Sequence, residues 1–390
     1  MVLVIHFLTC NKITMSELLY RIALTKIQGI GAITAKELVQ KAGSATKIFH
    51  STKTELSKIT GTSTTNQILI QKVMDWANKE VAFIQKNNIK VYFFDEVDYP
   101  ERLKQVRDAP FILYGQGNMD LNTERIVAIV GTRAPTQRGV EICKNIVTGL
   151  KKYNPLIISG LAHGIDITAH QQAVTIGLPT VGVMGNGLQR IYPREHAKFT
   201  QEMLEMGGLL TEFPSDQDPE REHFPMRNRI IASLCDALIV IESARKGGSM
   251  ISALYANDYH KEVFAVPGRI GDPVSAGCNH LIKTHKASII ESAADVGYIM
   301  GWEETTEKDK IEGVSTAKSP KKGIQPPLFT SHLTAPEQHI INLLQSNESL
   351  SNDQILNETG VTHSQLAGLL LTLELNGLIR ALPGRRYAKI

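Results

Sequence analysis

The sequence predicts an α/β protein whose central domain is an extended Rossmann-like parallel sheet, and three observations support this fold class. Short apolar runs, typical of parallel strands covered on both faces, occupy residues 126–130 and 156–159. Each run ends in a glycine turn, and each turn precedes a segment with helical spacing, at 139–151 and 165–174. Because these segments form a βαβ unit, the glycine turns should meet at the carboxyl ends of the strands, where such sheets bind ligands.

The other elements of this domain follow in order along the chain. Further strands are predicted at 90–94, 111–114, 178–184, 209–212, 237–241, 263–266 and 287–290. Further helices are predicted at 67–86, from Phe224 onward, at 250–259 and, as a last short helix, from Gly277. The run at 111–114 lies among prolines and glycines, so we expect an edge strand that leads into the sheet.

The amino-terminal part predicts short helices between residues 16 and 49 around a glycine hairpin. Residues 27–32 place two glycines before a helix, a pattern that resembles the helix-hairpin-helix (SAM-like) domains of many DNA-binding proteins. The backbone N–H groups of such a hairpin can bind phosphate. Since the flanking cations are few, Lys26 and Lys36, a purely structural helical hairpin is an equal alternative. A weaker copy of the motif follows at 59–61.

The carboxyl-terminal part predicts a winged helix. Helices are expected at 337–344, 352–358 and 364–376, before a β-hairpin, and Thr362 begins a capping box for the third helix. Winged helices often bind DNA through this helix. Here it is rich in leucine and alanine, so a protein contact or a packing role is at least as well supported. Basic residues of the wing could still contact phosphate; they are Arg380, Arg385, Arg386 and Lys389.

These patterns divide the chain into four parts. We predict a helical domain at 15–85, the Rossmann-like domain at 86–302, a flexible linker at 303–334 and the winged helix at 335–390. The linker is inferred from its charges, its prolines and its lack of periodic apolar residues. The helical pattern starts at Met15, so we expect the native protein to begin there, with residues 1–14 a misassigned start or a disordered tail.

Composition limits the function classes. The net charge of +3 is too small to indicate nucleic acid by itself, so any basic surface must be local. The four cysteines are scattered without a C-x-x-C pair, which argues against a disulfide framework or a zinc site and fits a reducing cytoplasm. No apolar run reaches membrane-spanning length. We therefore expect a cytoplasmic protein with no membrane partner and no metal.

The glycine turns have the chemistry of a phosphate site. Glycine lets the backbone approach a ligand closely, and the first N–H groups of the following helices favour an anion. The first turn lacks the G-x-G-x-x-G pattern and the acid of a dinucleotide site, and it carries Arg133 and Arg138. Arginine in a phosphate-facing turn suits a polyanion at least as well as a dinucleotide, and we predict no cofactor. A surface arginine in a structural turn is the alternative.

Several sequence blocks occur together in one order. They are Tyr-Pro at 99–100, Gly-Thr-Arg at 131–133, SGLAHGID at 159–166, FPMRNRII at 224–231, Lys-Gly-Gly-Ser at 246–249, Val-Pro-Gly at 266–268 and GCNHLI at 277–282. Together they resemble the DNA-processing protein A (DprA, or Smf) family over residues 15–300, and a winged-helix tail occurs in many of its members. The departures are small: Gly247 stands where serine is usual, and Ser252 where threonine is common.

This resemblance implies a bacterial single-stranded-DNA-binding protein of natural transformation and recombination. Such proteins protect incoming single strands, load the recombinase RecA, form homodimers through the Rossmann-like domain and are not known as enzymes. The residues expected to bind DNA, from the resemblance and from the positions of the basic residues, are Gly131, Thr132, Arg133, Ser159, Gly160, Ala162, Gly164, Arg221, Phe224, Arg227, Asn228, Lys246, Gly248 and Ser249.

Four side chains in these blocks have competing roles. Phe224 is the best candidate for stacking on a base, although it could also be a core residue that fixes the helix start. Arg229 lies deeper in its helix and is expected to be a structural salt-bridge partner. Asp166 and His170 suggest catalysis at first, but an aspartate at a helix start is more often a dipole partner, and the histidine is expected to pack. No nucleophile accompanies them, so we do not predict a hydrolase.

Two other functions compete with DNA binding by the sheet. A nucleoside-monophosphate phosphoribohydrolase has a similar fold, but its glutamate-bearing glycine turn corresponds here to residues 246–254. Ser252 or Leu254 takes the place of the glutamate that would act as acid and base. The other alternative is a transcription regulator that binds duplex DNA nonspecifically through the winged helix.

Overall fold

The computed structural model describes residues 14–52, 54–55, 67–303, 333–347, 349–382 and 386–389. The chain forms two compact units, residues 1–313 and 314–390, which are described separately. The weaker glycine motif at 59–61, nearly all of the segment 1–14 and most of the linker lie outside the described residues. The bounds of the four predicted parts stay predictions.

The first unit is built on one large sheet. Within the described residues its strands are β1 Lys90–Phe93, β2 Ile112–Gly117, β3 Ile126–Val130, β4 Leu156–Ser159, β5 Thr180–Val183, β6 Gly208–Thr211, β7 Ala237–Val240, β8 Glu262–Ala265 and β9 Ser288–Ile289. Their order is β1-β2-β6-β5-β4-β3-β7-β8-β9. From β6 to β9 all neighbours pair in parallel, whereas β2 runs against both of its neighbours. The predicted parallel α/β sheet is confirmed.

The prediction that 111–114 is an edge strand is wrong. Strand β2 lies between β1 and β6, and β1 forms the edge. The backbone of Phe93 pairs with that of Ile112, and the side chains of Leu113 and Tyr114 are both buried. A strand with consecutive buried side chains is covered on both faces, as an interior strand requires.

Helices surround this sheet. In the described residues of the first unit they are α1 Met15–Thr25, α2 Ala32–Ala42, α3 Ala45–His50, α4 Gln67–Lys86, α5 Glu101–Lys104, α6 Gln137–Leu150, α7 Ile165–Ile176, α8 Ala197–Met206, α9 His223–Leu234, α10 Gly248–Asp258, α11 Ala276–Lys283 and α12 Ala293–Met300. The helix from Gly277 was expected to be the last, but α12 follows it. Its capping box, formed by Ser292 and Asp295, is a signal that the sequence analysis missed.

The two faces of the sheet bury separate cores. On one face, side chains of β3 such as Val127 and Ile129 pack with Ile146 of α6 and Val296 of α12. Alternate residues of β3 point to the other face and pack with helices α9, α10 and α11. The three cysteines of this region are free and buried, and burial raises the pKa of each thiol to about 12. This is a three-layer α/β arrangement.

The amino-terminal helices are joined to the sheet by a buried ion-pair network. The guanidinium of Arg21 in α1 lies 2.8 Å from the carboxylate of Glu17 and 2.5 Å from that of Asp95, which follows β1. The Glu17 carboxylate also accepts hydrogen bonds from the N–H groups of Ala45 and Thr46 at the start of α3. Arg21 thus links α1 to the edge of the sheet, and Glu17 links α1 to α3.

The second unit is a winged helix, as predicted. Its described elements are α13 Ala335–Ser346, β10 Leu350–Ser351, α14 Asn352–Thr359, α15 His363–Leu375, β11 Ile379–Leu382 and β12 Arg386–Lys389. The capping box of Thr362 and Gln365 at the start of α15 is confirmed. The short strand β10, which pairs with β12, was not predicted, because two residues are too few to show a strand period.

None of the helices in the described parts of the chain is both long and apolar enough to cross a bilayer. Nor do the described residues bring three or more histidine, cysteine or carboxylate side chains together as a metal site would.

Replacing Leu373 by alanine should destabilise the winged helix. Leu373 is 0% exposed and packs in its core, whereas Leu371, two residues earlier in α15, is 58% exposed. Leu373→Ala should lower the opening free energy of α15 by about 2–5 kcal/mol, while Leu371→Ala should change it by less than about 0.5 kcal/mol. Hydrogen exchange of the α15 amides measures both, and equal effects would contradict this packing.

Candidate functional site

A cavity of about 790 Å³ opens at the carboxyl edge of the sheet. Its walls come from the turn after β3, the turn after β4 with the start of α7, residues 219–228, and the turn that leads into α10. Strand β3 lies between β4 and β7. After β3 the chain adds β4, β5 and β6 on one side of it, and then returns to add β7, β8 and β9 on the other side. Ligands of open α/β sheets bind at such a switch point.

The turn after β3 is held tightly by its neighbours. A Cβ on Gly131 would lie 2.5 Å from Cγ1 of Ile165. The N–H of Thr132 donates to the carbonyl of Glu242, 2.8 Å away, and the Glu242 carboxylate accepts from both the N–H and the hydroxyl of Thr136. This frame leaves the exposed side chain of Arg133 at the cavity.

Arg133 lies beside an aromatic face. Its guanidinium carbon is 5.5 Å from the ring centroid of Phe224, a cation–π distance. On another side the ring of Tyr192 lies 5.8 Å from that of Phe224. Phe224 is partly exposed at the cavity wall and belongs to none of the buried core clusters of the described residues.

Tyr192 was not among the site residues predicted from the sequence. Its side chain is 46% exposed and lines the cavity. The residue follows β5 in a loop, so neither strand nor helix periodicity marks it. An aromatic residue next to proline in a loop at the carboxyl edge was the available signal.

The turn after β4 supports the cavity from behind. Gly164 has a φ of 79°, which favours glycine, and the carbonyl of Thr132 occupies the place where its Cβ would be. The hydroxyl of Ser159 donates to the carbonyl of Ile129 at 2.5 Å. Ser159, Gly160 and Gly164 do not line the cavity, and the Ser159 hydrogen bond joins β4 to β3 beneath it.

Arg227 is a buried cation in the floor of the site. Its side chain donates to the backbone carbonyls of Gly160 and Val183, and the residue is 4% exposed. Burial lowers the pKa of its guanidinium to about 10, against the opposing effect of Asp166. The guanidinium also fills the space where a side chain at residue 160 would begin. Glycine at that position is therefore a packing requirement.

The surroundings of Asp166 and His170 indicate structural roles for both side chains. Burial raises the pKa of Asp166, and nearby Arg227 and a 3.4 Å hydrogen bond from the N–H of Ala162 oppose that rise. The Thr180 hydroxyl donates to a carbonyl, so it accepts from Nδ1 of His170, 2.7 Å away. Burial lowers the pKa of His170 to about 3. His170 is therefore a neutral packing residue.

The start of α10 forms the last wall. Nothing lies within 4 Å of the place where a Cβ on Gly248 would be, so its backbone is open to the cavity. Asn228 donates to the Gly248 carbonyl at 3.3 Å, and the hydroxyl of Ser249 bonds that of Ser243 at 2.8 Å. The free N–H groups of a helix start favour an anion.

The structure brings together most residues expected to bind DNA. Those that line the cavity are Gly131, Thr132, Arg133, Ala162, Arg221, Phe224, Arg227, Asn228, Gly248 and Ser249. Lys246 is exposed on the turn into α10 but does not line the cavity. Their role in binding DNA stays a prediction.

Arg229 has the structural role predicted for it. Its guanidinium pairs with the carboxylate of Glu212 and donates to the carbonyl of Asp108, 2.6 Å away.

The two lysines beside the amino-terminal glycine hairpin both contact other parts of the molecule, although Lys26 is exposed. The Lys36 ammonium donates to the carbonyl of Ala109 at 2.5 Å, and the Lys26 ammonium lies 4.8 Å from the centre of the Trp76 ring. These contacts favour the structural interpretation of the hairpin.

Comparison with known proteins agrees with the fold. The model of the DNA recombination-mediator protein A family matches residues 90–300, and that of the DprA winged helix domain matches residues 325–385. The Smf protein of Synechocystis is 30% identical over 403 residues, 96% of this chain and 99% of its own. The DNA processing protein DprA of Streptococcus pneumoniae is 39% identical over 198 residues, 51% of this chain and 70% of its own.

Solved structures show the same relationship. The crystal structure of DprA from Streptococcus pneumoniae superposes with a TM-score of 0.63 at 30% identity, covering 75% of this chain and 100% of the other. DprA from Helicobacter pylori, described for its single-stranded DNA binding mode, gives a TM-score of 0.50 at 30% identity over 55% and 97% of the two chains. The chain belongs to the DprA/Smf family of DNA recombination-mediator proteins, which confirms the resemblance inferred from the sequence.

Two glycines of the cavity should respond differently to an added methyl group. Gly131→Ala places its Cβ against buried Ile165 and should destabilise the first unit by about 1–3 kcal/mol. Gly248→Ala meets open space and should change stability by less than about 0.5 kcal/mol. Equilibrium denaturation of the full chain measures both variants. A fully stable Gly131→Ala protein would show that the turn is not packed as described.

Proposed function

We propose that this protein binds single-stranded DNA in the cavity at the carboxyl edge of its sheet, as a DNA-processing protein of transformation and recombination. The observation that carries the proposal is the pairing of exposed Arg133 with the face of Phe224 on one wall of the cavity. A single strand offers a phosphate and an unstacked base side by side, and proteins hold it with cations and aromatic faces together.

The phosphate contacts would come from the exposed cations of the carboxyl edge. Arg133 and Arg221 reach the cavity, and Lys246 lies on the turn that leads into α10. The open backbone at Gly248 adds N–H donors at the start of a helix. Because these groups come from three different turns, a strand that contacts all of them would cross the mouth of the cavity.

The base contacts would come from the aromatic pair. Phe224 and Tyr192 lie at 41° to each other, so the two rings would not stack on the same face of one base. Tyr192, being more exposed, would meet a base adjacent to the one on Phe224. Stacking tolerates any base, which suits a protein that accepts incoming strands of any sequence.

Arg227 would act indirectly. Although it lines the cavity, its guanidinium is bonded to two carbonyls of the sheet edge. We propose that it positions the turn after β4 and the start of α9, and that Arg133 and Arg221 contact the strand.

Relatives support this assignment. The homologues from Bacillus subtilis and Streptococcus pneumoniae are DNA processing proteins, and that from Helicobacter pylori has a described single-stranded DNA binding mode. By analogy with the family, we propose that the protein works in the cytoplasm as a homodimer formed through its Rossmann-like domain and loads RecA onto the strand. A monomer in analytical ultracentrifugation would refute the homodimer. An unchanged rate of RecA filament formation in the presence of the protein would refute RecA loading.

The phosphoribohydrolase alternative is disfavoured by the cavity wall. Of the two residues that could replace the glutamate, Ser252 is buried in the wall and Leu254 is 42% exposed elsewhere on α10. Among the described residues that line the cavity, Asp166 is the one carboxylate, and it is buried next to Arg227. Release of adenine from AMP by the purified protein would revive this alternative.

Duplex binding by the winged helix also receives little support. Helix α15 has no lysine or arginine in its sequence, whereas a recognition helix normally contacts phosphates and base edges through such side chains. Loss of single-strand affinity on deletion of residues 335–390 would argue for the tail and against the cavity.

Arg133→Ala should weaken single-strand binding for every sequence. Loss of one phosphate contact should reduce the slope of log K against log salt by about 0.7 to 1 unit. Fluorescence anisotropy with a labelled strand over a salt series measures this slope. Lys151→Ala is the matched control, because this exposed cation lies between α6 and β4, at the amino ends of the parallel strands and away from the cavity. An unchanged slope for Arg133→Ala would remove it from the site.

Phe224→Ala should weaken binding by a different mechanism. Loss of one stacking contact should reduce affinity by about 1–3 kcal/mol per base, or roughly 5- to 150-fold. The salt slope should stay unchanged, since stacking releases no counterion. The same titration measures both quantities. Unaltered affinity would mean that Phe224 only packs against Tyr192 and Arg133.

A further inference from the structure

One wall of the cavity is formed by a loop that the helical domain holds. The loop comprises residues 214–222, between β6 and α9, and it contributes Pro219 and Arg221 to the cavity before the chain reaches Phe224. It carries four carboxylates and one arginine. A carboxylate beside a site for a polyanion repels the ligand less when a partner offsets its charge.

Helix α4 binds the beginning of this loop. The Glu80 carboxylate is 3% exposed and accepts two hydrogen bonds from Ser215, one from its N–H at 2.9 Å and one from its hydroxyl at 2.5 Å. One turn earlier, Nε1 of Trp76 donates to the Asp216 carboxylate at 2.8 Å. The Lys26 ammonium from the glycine hairpin lies over the ring of Trp76, 4.8 Å from its centroid. A buried carboxylate of this kind is stable only with its partners in place.

The sheet domain holds the middle of the same loop. The N–H of Gly187 donates to the carbonyl of Gln217 at 2.9 Å, and Arg190 pairs with the Asp218 carboxylate at 2.5 Å. Asp216 and Asp218 are thus both occupied by partners. Arg221 follows three residues after the Asp218 anchor and two residues before α9, and it lines the cavity.

We infer that Glu80 and Trp76 are positioning residues for DNA binding, and that the helical domain supports the site through the 214–222 loop without contacting the strand. This inference rests on the proposed function of the cavity. It assigns to the helical domain a role in ordering the wall that carries Arg221. Lys26 of the glycine hairpin contributes to this role, because its ammonium packs on the ring of Trp76.

The direction of the effect distinguishes positioning from simple electrostatics. Removing the negative charge of Glu80 would raise the affinity for a polyanion if Glu80 acted only through the electrostatic potential at the cavity. If Glu80 positions the loop, its removal lowers affinity, because Arg221 is no longer held at the cavity.

Hydrogen exchange of the full chain tests the inference independently of DNA. In Glu80→Ala and Ser215→Ala, amides of residues 213–223 should exchange faster than in the unaltered protein, while those of α10 should not change. Trp76→Phe keeps the ring under Lys26 but removes the N–H, so it should show a smaller increase in the same segment. Glu205→Ala, an exposed carboxylate at the end of α8 and at the amino edge of the sheet, is the control.

Binding of an oligothymidine strand then tests the link to function. Glu80→Ala should lower affinity about threefold or more and reduce the salt slope by about 0.7, as loss of the Arg221 contact requires. In an Arg221→Ala background the same substitution should have almost no further effect. Three results for Glu80→Ala would overturn the inference and leave the proposed function standing. They are unchanged hydrogen exchange of residues 213–223, a higher affinity for the strand, or an equally large loss of affinity in the Arg221→Ala background. Failure of the unaltered protein to bind the strand would instead refute the proposed function, and the inference with it.

Discussion

The buried guanidinium of Arg227 is the contact on which the candidate site depends. It joins the second turn of α9 to the ends of two parallel strands through the carbonyls of Gly160 and Val183. A buried guanidinium needs acceptors and an opposite charge close by, and removing the partner of a buried charge typically costs about 3–5 kcal/mol. Asp166 adds an opposite charge beside it. The carboxyl edge of the sheet is therefore held in one arrangement before any ligand arrives.

The position of Phe224 follows from this anchor. Phe224 precedes Arg227 by three residues in α9, so both side chains lie on the same side of the helix. With Arg227 directed into the sheet edge, Phe224 reaches the cavity mouth, where Arg133 from the turn after β3 meets its ring. The arginines thus divide into two groups. Arg227 and Arg229 are used within the fold, whereas Arg133 and Arg221 remain exposed for a ligand.

Sequence patterns predicted the centre of the fold better than its edges. The runs at 126–130 and 156–159 coincide with β3 and β4, because continuous apolar runs and glycine turns are local signals. The placement of β2 inside the sheet could not be predicted in this way, since the order of strands depends on contacts between distant segments. Helix α12 was missed although its capping box was visible in the sequence.

The same limit applies to the site. The blocks around Arg133 and Phe224 were recognised, and the structure places both residues at one cavity. The burial of Arg227 could not be distinguished from the exposure of Arg221, since the two arginines lie only six residues apart in one charged segment. Tyr192 and the contact between Glu80 and Ser215 were missed because they join segments far apart in the chain.

The most direct measurement of the central claim is the salt dependence of binding to a single strand and to the matching duplex by the full chain. If exposed cations of three turns hold a nucleotide chain at the sheet edge, the single strand should bind more tightly than the duplex. Three phosphate contacts at about 0.7 each give a slope of log K against log salt of about −2. Equal or tighter binding of the duplex, or a slope near zero, would contradict a single-strand site at this edge.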